Sequence, residues 1–320
     1  MLHLLIDADT GVDDSIAILY ALLHPEVHVA GITTGCGNTS ADQAAENTLR
    51  LIQLARPGYE VPVVVGANAP LSGVWEGPMP HIHGENGIGG AQLPPSPQRV
   101  LEEDCSAFLY RMAEAYSGEL TVLTLGRMTN LAAALRRFPE LKRHLRRVVA
   151  MGGTLSCPGN VSPRAEANLA GDPEAADEVF SSGLDLTMVG LDVTERVRLR
   201  LAHLDAAERS CPPERRPVLD YMRSALGLYL DFTRFAEGSL ENCPLHDPLA
   251  AIAAVRPEFF LTRRMRARVE LGGTWCRGQV VTDLRFRPFE AEYVNFCVEV
   301  DGDQAIRELF SVLCGAESMG

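Results

Sequence analysis

Lysine is nearly missing from this chain: of 29 basic residues, Lys142 is the sole lysine and the rest are arginines. Positive charge of any kind is scarce. The 42 aspartates and glutamates outweigh it and leave a formal net charge of −13, with a sequence pI near 5.1. A nucleic-acid binder needs a basic surface, so that class is set aside. No apolar run approaches the roughly 18 residues that a bilayer-crossing helix requires. The first residues also lack the basic-then-apolar pattern of a secretory signal. Eight cysteines are present, yet none forms a CxxC pair and no Cys/His group has zinc spacing. We therefore expect reduced thiols in a cytoplasmic protein, with no membrane and no nucleic-acid partner.

What is present is a sizeable apolar fraction, 46 % of 320 residues, enough for a large core. Strand-like and helix-like segments alternate. LHLLID, VHVAGITT, VPVVV, LTVLTL, RVVAMGG and LDLTMVG read as strands. Between them, Asp13 to Leu23, Ala41 to Ala55, Arg99 to Tyr116 and a stretch near Asn130 carry helical periodicity. DPEAADEVFSSG reads as a short helix with Asp172 as N-cap and Gly183 as stop. The alternation predicts an α/β fold: one domain spanning 1–320, with a mostly parallel, Rossmann-like sheet flanked by helices. Toward the end, Val218 to Phe235 and a segment from Asp247 predict helices. Arg264 to Leu271, Gln279 to Phe286 and Tyr293 to Val300 predict a few antiparallel strands. The Gly- and Pro-rich stretch from Ala67 to Pro97 predicts a long functional loop.

The first strand runs into four aspartates: Asp7, Asp9, Asp13 and Asp14. Like charges so close must be neutralised or partly protonated. A hard cation takes carboxylates, carbonyls and water as ligands, and Asp9 and Asp14 can converge on one ion with Asp247 as a distant third. The plainer alternative is helix capping, with Asp13 and Asp14 in a first turn where the macrodipole favours them. Further polar clusters, TTGCGNTS, TLGRMTN, GNVSPRAEAN and CPLHDPLA, also follow strands or open helices. Ligands of open α/β sheets bind beyond the carboxyl ends of strands. Trp275, close to predicted strands, is expected in the core.

These blocks together resemble the inosine-uridine-preferring nucleoside hydrolases. DADTGVDD is similar to the DxDPGxDD signature of that family. GITTGCGN, HIHGENGIGG, TLGRMTNLA, GNVSPRAEANLAGDPEAA and LHDPLA resemble its later segments, in the family's order, up to about residue 255. The resemblance implies the nucleoside hydrolase fold and calcium-dependent hydrolysis of the N-glycosidic bond of ribonucleosides. It implies Asp9, Asp14, Asp247 and the Leu125 carbonyl as calcium ligands. Asp13, Asn38, Asn160, Glu166 and Asn168 would hold the ribose, with His83 near the same pocket. Asp9 would also act as general base for the attacking water, and His246 would assist the departing base. A homodimer or homotetramer is implied as well.

Thr10 and Arg127 stand where the family pattern has proline. The loop at 75–90 and the region 225–242 match the family least, which leaves the preferred base open. Two alternatives compete. LLIDADT also fits the opening of haloacid-dehalogenase-like magnesium phosphatases, with Lys142, Asp172 and Asp177 in the remaining roles. A calcium-dependent nucleoside binder without turnover is the non-enzymatic alternative.

Overall fold

A computed structural model describes residues 1–238 and 241–315. Residues 316–320 of the expected domain, and 239–240 within the region 225–242, lie outside the described residues. Six strands form the parallel heart of the sheet: β1 (Leu2–Ala8), β2 (Val27–Thr34), β3 (Val63–Val65), β4 (Leu120–Thr124), β5 (Leu145–Met151) and β6 (Leu186–Val189). Two short strands, β7 (Arg198–Arg200) and β8 (Asn242–Pro244), pair antiparallel in a separate ribbon. β9 (Phe260–Val269), β10 (Val280–Thr282) and β11 (Tyr293–Val300) complete the large sheet. Its order is β10-β9-β11-β6-β5-β4-β1-β2-β3.

The core strands are continuously apolar because helices cover both faces: Leu4, Leu5 and Ile6 of β1 are all fully buried. One apolar cluster joins β1 to the helices Val12–Leu23 and Asp247–Val255; a second gathers Phe108, Leu131, Val179 and Phe180 on the other side. The order runs 3-2-1-4-5-6 across the parallel strands, so the connections reverse direction between β1 and β4. A crevice opens at such a switch point, beyond the carboxyl ends of the strands. Among the described residues no helix is long and apolar enough to cross a membrane.

Three sequence expectations shift. The helix expected from Arg99 starts at Cys105, because the Asp104 side chain caps it by accepting from Ala107 N at 2.9 Å. The strand expected over Gln279 to Phe286 stops at Thr282, where Asp283 turns the chain by accepting from the backbone N–H groups of Arg285 and Phe289. The expected antiparallel C-terminal strands are present, β9 pairing antiparallel with both β10 and β11, and β11 in addition runs parallel to β6. Trp275 is 68 % exposed and so lies outside the core. Asp172 does cap its helix, accepting from Ala175 N at 3.2 Å.

Candidate active site

The crevice at the switch point collects the residues that the family resemblance implies. Asp9 leaves the end of β1; Asp13 and Asp14 occupy the first turn of the helix Val12–Leu23; Asn38 follows β2. Leu125 follows β4, and Asn160, Glu166 and Asn168 follow β5. His83 ends the short helix Pro80–His83 of the long loop. His246 is the N-cap of the helix Asp247–Val255, whose first residue is Asp247. A cavity of about 820 Å³ is lined by Asp13, Asn38, His83, Leu125, Asn160, Glu166, Asn168, His246 and Asp247.

Asp9 is held against backbone. Its Oδ2 accepts from Asn38 N at 2.7 Å. A Cβ on Gly37 would lie 1.8 Å from that oxygen, and one on Gly126 would lie 2.6 Å from Oδ1. Both glycines are therefore required by close approach to the carboxylate. Replacing Gly37 by alanine must push the carboxylate aside. We expect a kcat loss of at least about 100-fold, the scale of an ångström's misplacement, with the melting temperature nearly unchanged. Steady-state kinetics beside calorimetry checks this.

Asp14 Oδ2 accepts from Gly11 N and from Asn38 Nδ2, both at 2.9 Å. The helix-capping alternative is thus realised by Asp14, with Asp13 beside it in the first turn. Ligand oxygens of Asp13, Asp14 and Asp247 lie within 4.8 Å of one another, a grouping that can hold a metal ion. One oxygen on each of Asp9, Asp13 and Asp14 is buried without any hydrogen-bond partner. Orphaned carboxylate oxygens facing one another are costly unless a cation or a proton joins them. The donor set is all oxygen, which suits a hard cation. The Leu125 carbonyl accepts from Asn168 Nδ2 at 2.6 Å and keeps a second lone pair for an ion.

Burial dominates the titration of the cluster. It raises Asp9, and it raises Asp14 and Asp247 well above the carboxylate range, reinforced by neighbouring aspartates. Asp13 is pushed up to about 7. Asp7 lies behind the others, pushed up by burial to about 6 while accepting from Thr33 Oγ1 at 2.6 Å and Asn130 Nδ2 at 2.8 Å. It ties β1 to β2 and to the segment after β4. Glu166 is also raised by burial, against three backbone N–H groups, of Asn168, Gly153 and Leu169, that favour its charge. Asn160 Oδ1 accepts from Ala167 N at 2.9 Å, so it braces the same loop.

Both histidines have one ring nitrogen committed. His83 Nδ1 accepts from Val12 N at 3.1 Å, which leaves the proton on Nε2 of the neutral ring. His246 Nδ1 lies 2.8 Å from Thr194 Oγ1. Burial lowers His83 to about 3 and His246 to about 4, so both rings are neutral near pH 7. Sequence reasoning missed Thr194, the two cradling glycines, and the cavity walls Met79, Ile82, Tyr229 and Phe232. The periodicity of a helix over residues 218–235 foreshadowed only that Tyr229 and Phe232 share a helical face.

The departures from the family pattern are accommodated. Thr48 Oγ1 donates to Ala44 O at 2.8 Å, so the Thr10 hydroxyl donates to Thr48 at 2.8 Å and anchors the turn. Arg127 packs where Gly171 has no side chain and sends positive potential to Asp9. The phosphatase set does not assemble: Lys142 precedes β5, at the end of the sheet opposite the crevice, and donates to Ser182 O at 3.1 Å. Asp177 accepts from Arg268, and Asp172 from Thr129 and Leu71.

A model of the inosine-uridine preferring nucleoside hydrolase family matches residues 4–307. Uridine nucleosidase 1 of Arabidopsis thaliana is 39 % identical over 282 residues, covering 88 % of this chain and 81 % of the relative. A pyrimidine-specific ribonucleoside hydrolase of Salmonella schwarzengrund is 32 % identical, covering 94 % of each. Among solved structures, a plant nucleoside hydrolase superposes with a TM-score of 0.91 at 30 % identity, over 98 % of this chain and 99 % of that one. The purine-preferring ribonucleoside hydrolase from Gardnerella vaginalis gives 0.90 at 33 %, with the same coverage. An acidic crevice at the switch point, a polar loop after β5 on its rim and a match along nearly the whole sequence converge: the chain belongs to the inosine-uridine preferring nucleoside hydrolase family, enzymes that hydrolyse the N-glycosyl bond of ribonucleosides.

Proposed function

We propose that the protein is a calcium-dependent ribonucleoside hydrolase releasing ribose and free base, with uridine as the first substrate to try. The observation that carries the reading is the set of three orphaned, buried carboxylate oxygens on Asp9, Asp13 and Asp14. The names of the curated relatives, uridine nucleosidases and a pyrimidine-specific hydrolase, favour the pyrimidine side. Asp9, Asp14, Asp247 and the Leu125 carbonyl would hold the ion; when bound, it supplies Lewis-acid polarisation of water and an anchor for the ribose diol.

This chain's own residues do the rest. Asp13, Asn38, Asn160, Glu166 and Asn168 orient the ribose hydroxyls, converting their binding energy into alignment of C1′. Asp9 takes the proton of the attacking water. As the C–N bond breaks, positive charge grows on C1′ and the ring oxygen, and the acidic wall stabilises it. His246, whose Nδ1 lies 2.8 Å from Thr194 Oγ1, stays neutral; with Thr194 as the donor its proton sits on Nε2, from which it hydrogen-bonds the departing base and stabilises the negative charge that builds there, the base taking its proton from solvent. His83 presents its Nε2–H to the same end of the cavity. The eight free thiols support a reducing, cytoplasmic setting, and the family resemblance supports a homodimer or homotetramer.

A panel of uridine, cytidine, inosine and adenosine with their 2′-deoxy forms, with and without a calcium chelator, tests the reading. Ribose release that is lost on deoxynucleosides and on chelation is expected; release indifferent to both would overturn it. Stoichiometric binding without release would establish a binder instead. Thr194→Val should lower kcat about 5-fold, the worth of one hydrogen bond of about 1 kcal/mol, and leave KM nearly unchanged. A fall confined to KM would remove Thr194 from the positioning of His246 toward the departing base.

A further inference from the structure

The segment ERVRLRL, residues 195–201, alternates arginine with aliphatic residues. In extended chain such alternation sends the two kinds to opposite faces. Val197 and Leu199 are buried. Arg196, Arg198 and Arg200 line a separate open cavity of about 820 Å³, bounded on its far side by the start of the helix Gly302–Cys314. Arg307 from that helix joins them; Asp303 is the one carboxylate of the lining, and the helix cap Asp301 also lies in the field of Arg307. In a chain of net charge −13, four guanidinium groups around one hollow are a local reversal of sign.

Three of the four are uncommitted. Among the described residues, Arg196, Arg200 and Arg307 form no ion pair, whereas Arg198 beside them pairs with Glu195. Two further features act in the same direction. The helix Leu201–Ser210 begins at this cavity, where its dipole favours an anion, while the start of Gly302–Cys314 is capped by Asp301, which accepts from Gln304 N at 3.0 Å. His203 Nδ1 accepts from Arg200 N at 3.2 Å, which leaves an Nε2–H donor on the cavity-lining ring. Planar guanidinium forks on a concave wall match the oxygens of a phosphate group.

The cavity is also wired to the active site. Arg198 donates to Asn242 Oδ1 at 2.9 Å and to Glu195 Oε2 at 3.0 Å, and Glu195 lines the nucleoside cavity. β7 pairs with β8, and Leu245 N donates to Val197 O at 2.9 Å, one residue before His246. We propose that this arginine-lined cavity binds the phosphate group of a small phosphorylated metabolite, and that its occupancy alters nucleoside binding through Arg198 and Glu195. An anion there competes with Glu195 for the Arg198 fork and loosens the wall of the nucleoside cavity.

The test is calorimetric titration of the calcium-loaded protein with inorganic phosphate and with ribose 5-phosphate, at matched ionic strength. The Arg200→Glu/Arg307→Glu double variant, whose substitutions are both at exposed positions, is the control. Its melting temperature and its kcat in the absence of phosphate should match the parent. Saturable binding that weakens at least 10-fold in the variant is expected, with a KM for nucleoside that shifts 3-fold or more on saturation in the parent only. Ribose 5-phosphate at least 10-fold tighter than phosphate identifies a phosphorylated sugar as occupant; equal affinities identify free phosphate. No saturable binding of either probe, or equal binding by the variant, overturns the site. Binding with an unmoved KM overturns the coupling.

Discussion

Asp9→Asn lowers kcat for ribose release by about 10³- to 10⁴-fold at saturating calcium, the upper range for loss of a general base. The variant is chosen because its geometry survives. The carboxamide oxygen can still accept from Asn38 N, as Oδ2 does now at 2.7 Å, and the side chain still fits between Gly37 and Gly126. What disappears is the ability to take a proton and one negative charge beside the ion. Calorimetric titration with calcium separates these losses: a weaker ion affinity is recovered by more calcium, whereas the missing base is not. Activity within 10-fold of the parent at saturating calcium would remove Asp9 from the proton transfer.

The second large effect is on stability. On the proposed function, stripping the calcium ion with a chelator should leave a protein most stable near pH 5 and less stable as pH rises toward 8. Burial lifts Asp7 to about 6 and Asp13 to about 7, and raises Asp9, Asp14 and Asp247 as well. In the unfolded chain these groups ionise near 4. Between those values the folded form binds more protons than the unfolded, so ∂ΔG/∂pH is negative and stability drains as the pH climbs. For a group shifted as far as Asp7 the loss is on the order of 3 kcal/mol. Added calcium substitutes for the protons and should restore the melting temperature at pH 7.5 by several degrees, with little effect at pH 5. A chelated protein equally stable at both pH values would show that the carboxylates are not under mutual strain.

The parallel heart of the sheet was legible because each βα unit is local: apolar strand, polar turn, capped helix. The same locality made Asp9, Asp13, Asp14 and Asn38 readable, since each follows its strand within a few residues. Asp247 could be named only as a distant third carboxylate, because nothing near it in sequence announces a partner at the other end of the chain; the family resemblance then gave it a ligand's role. Thr194, Gly37 and Gly126 were not legible at all. Their roles come from what a distant side chain does against them, and a threonine or glycine carries no sign of that by itself. The position of β11 between β9 and β6, parallel to one and antiparallel to the other, depends on tertiary packing for the same reason. The alternating arginines of ERVRLRL were visible in the sequence, but the second wall of their cavity, from residues 302–307, was not.

The solitary lysine has a practical meaning. Lys142 is exposed, sits at the end of the sheet remote from the crevice, and makes one hydrogen bond to a backbone carbonyl. It is the only side-chain amine in the 320 residues. Acylating reagents therefore have a single side-chain target, and a dye, tether or solid support placed there leaves the mouth of the nucleoside cavity facing solution. A chain this poor in lysine comes with its own orientation for surface attachment.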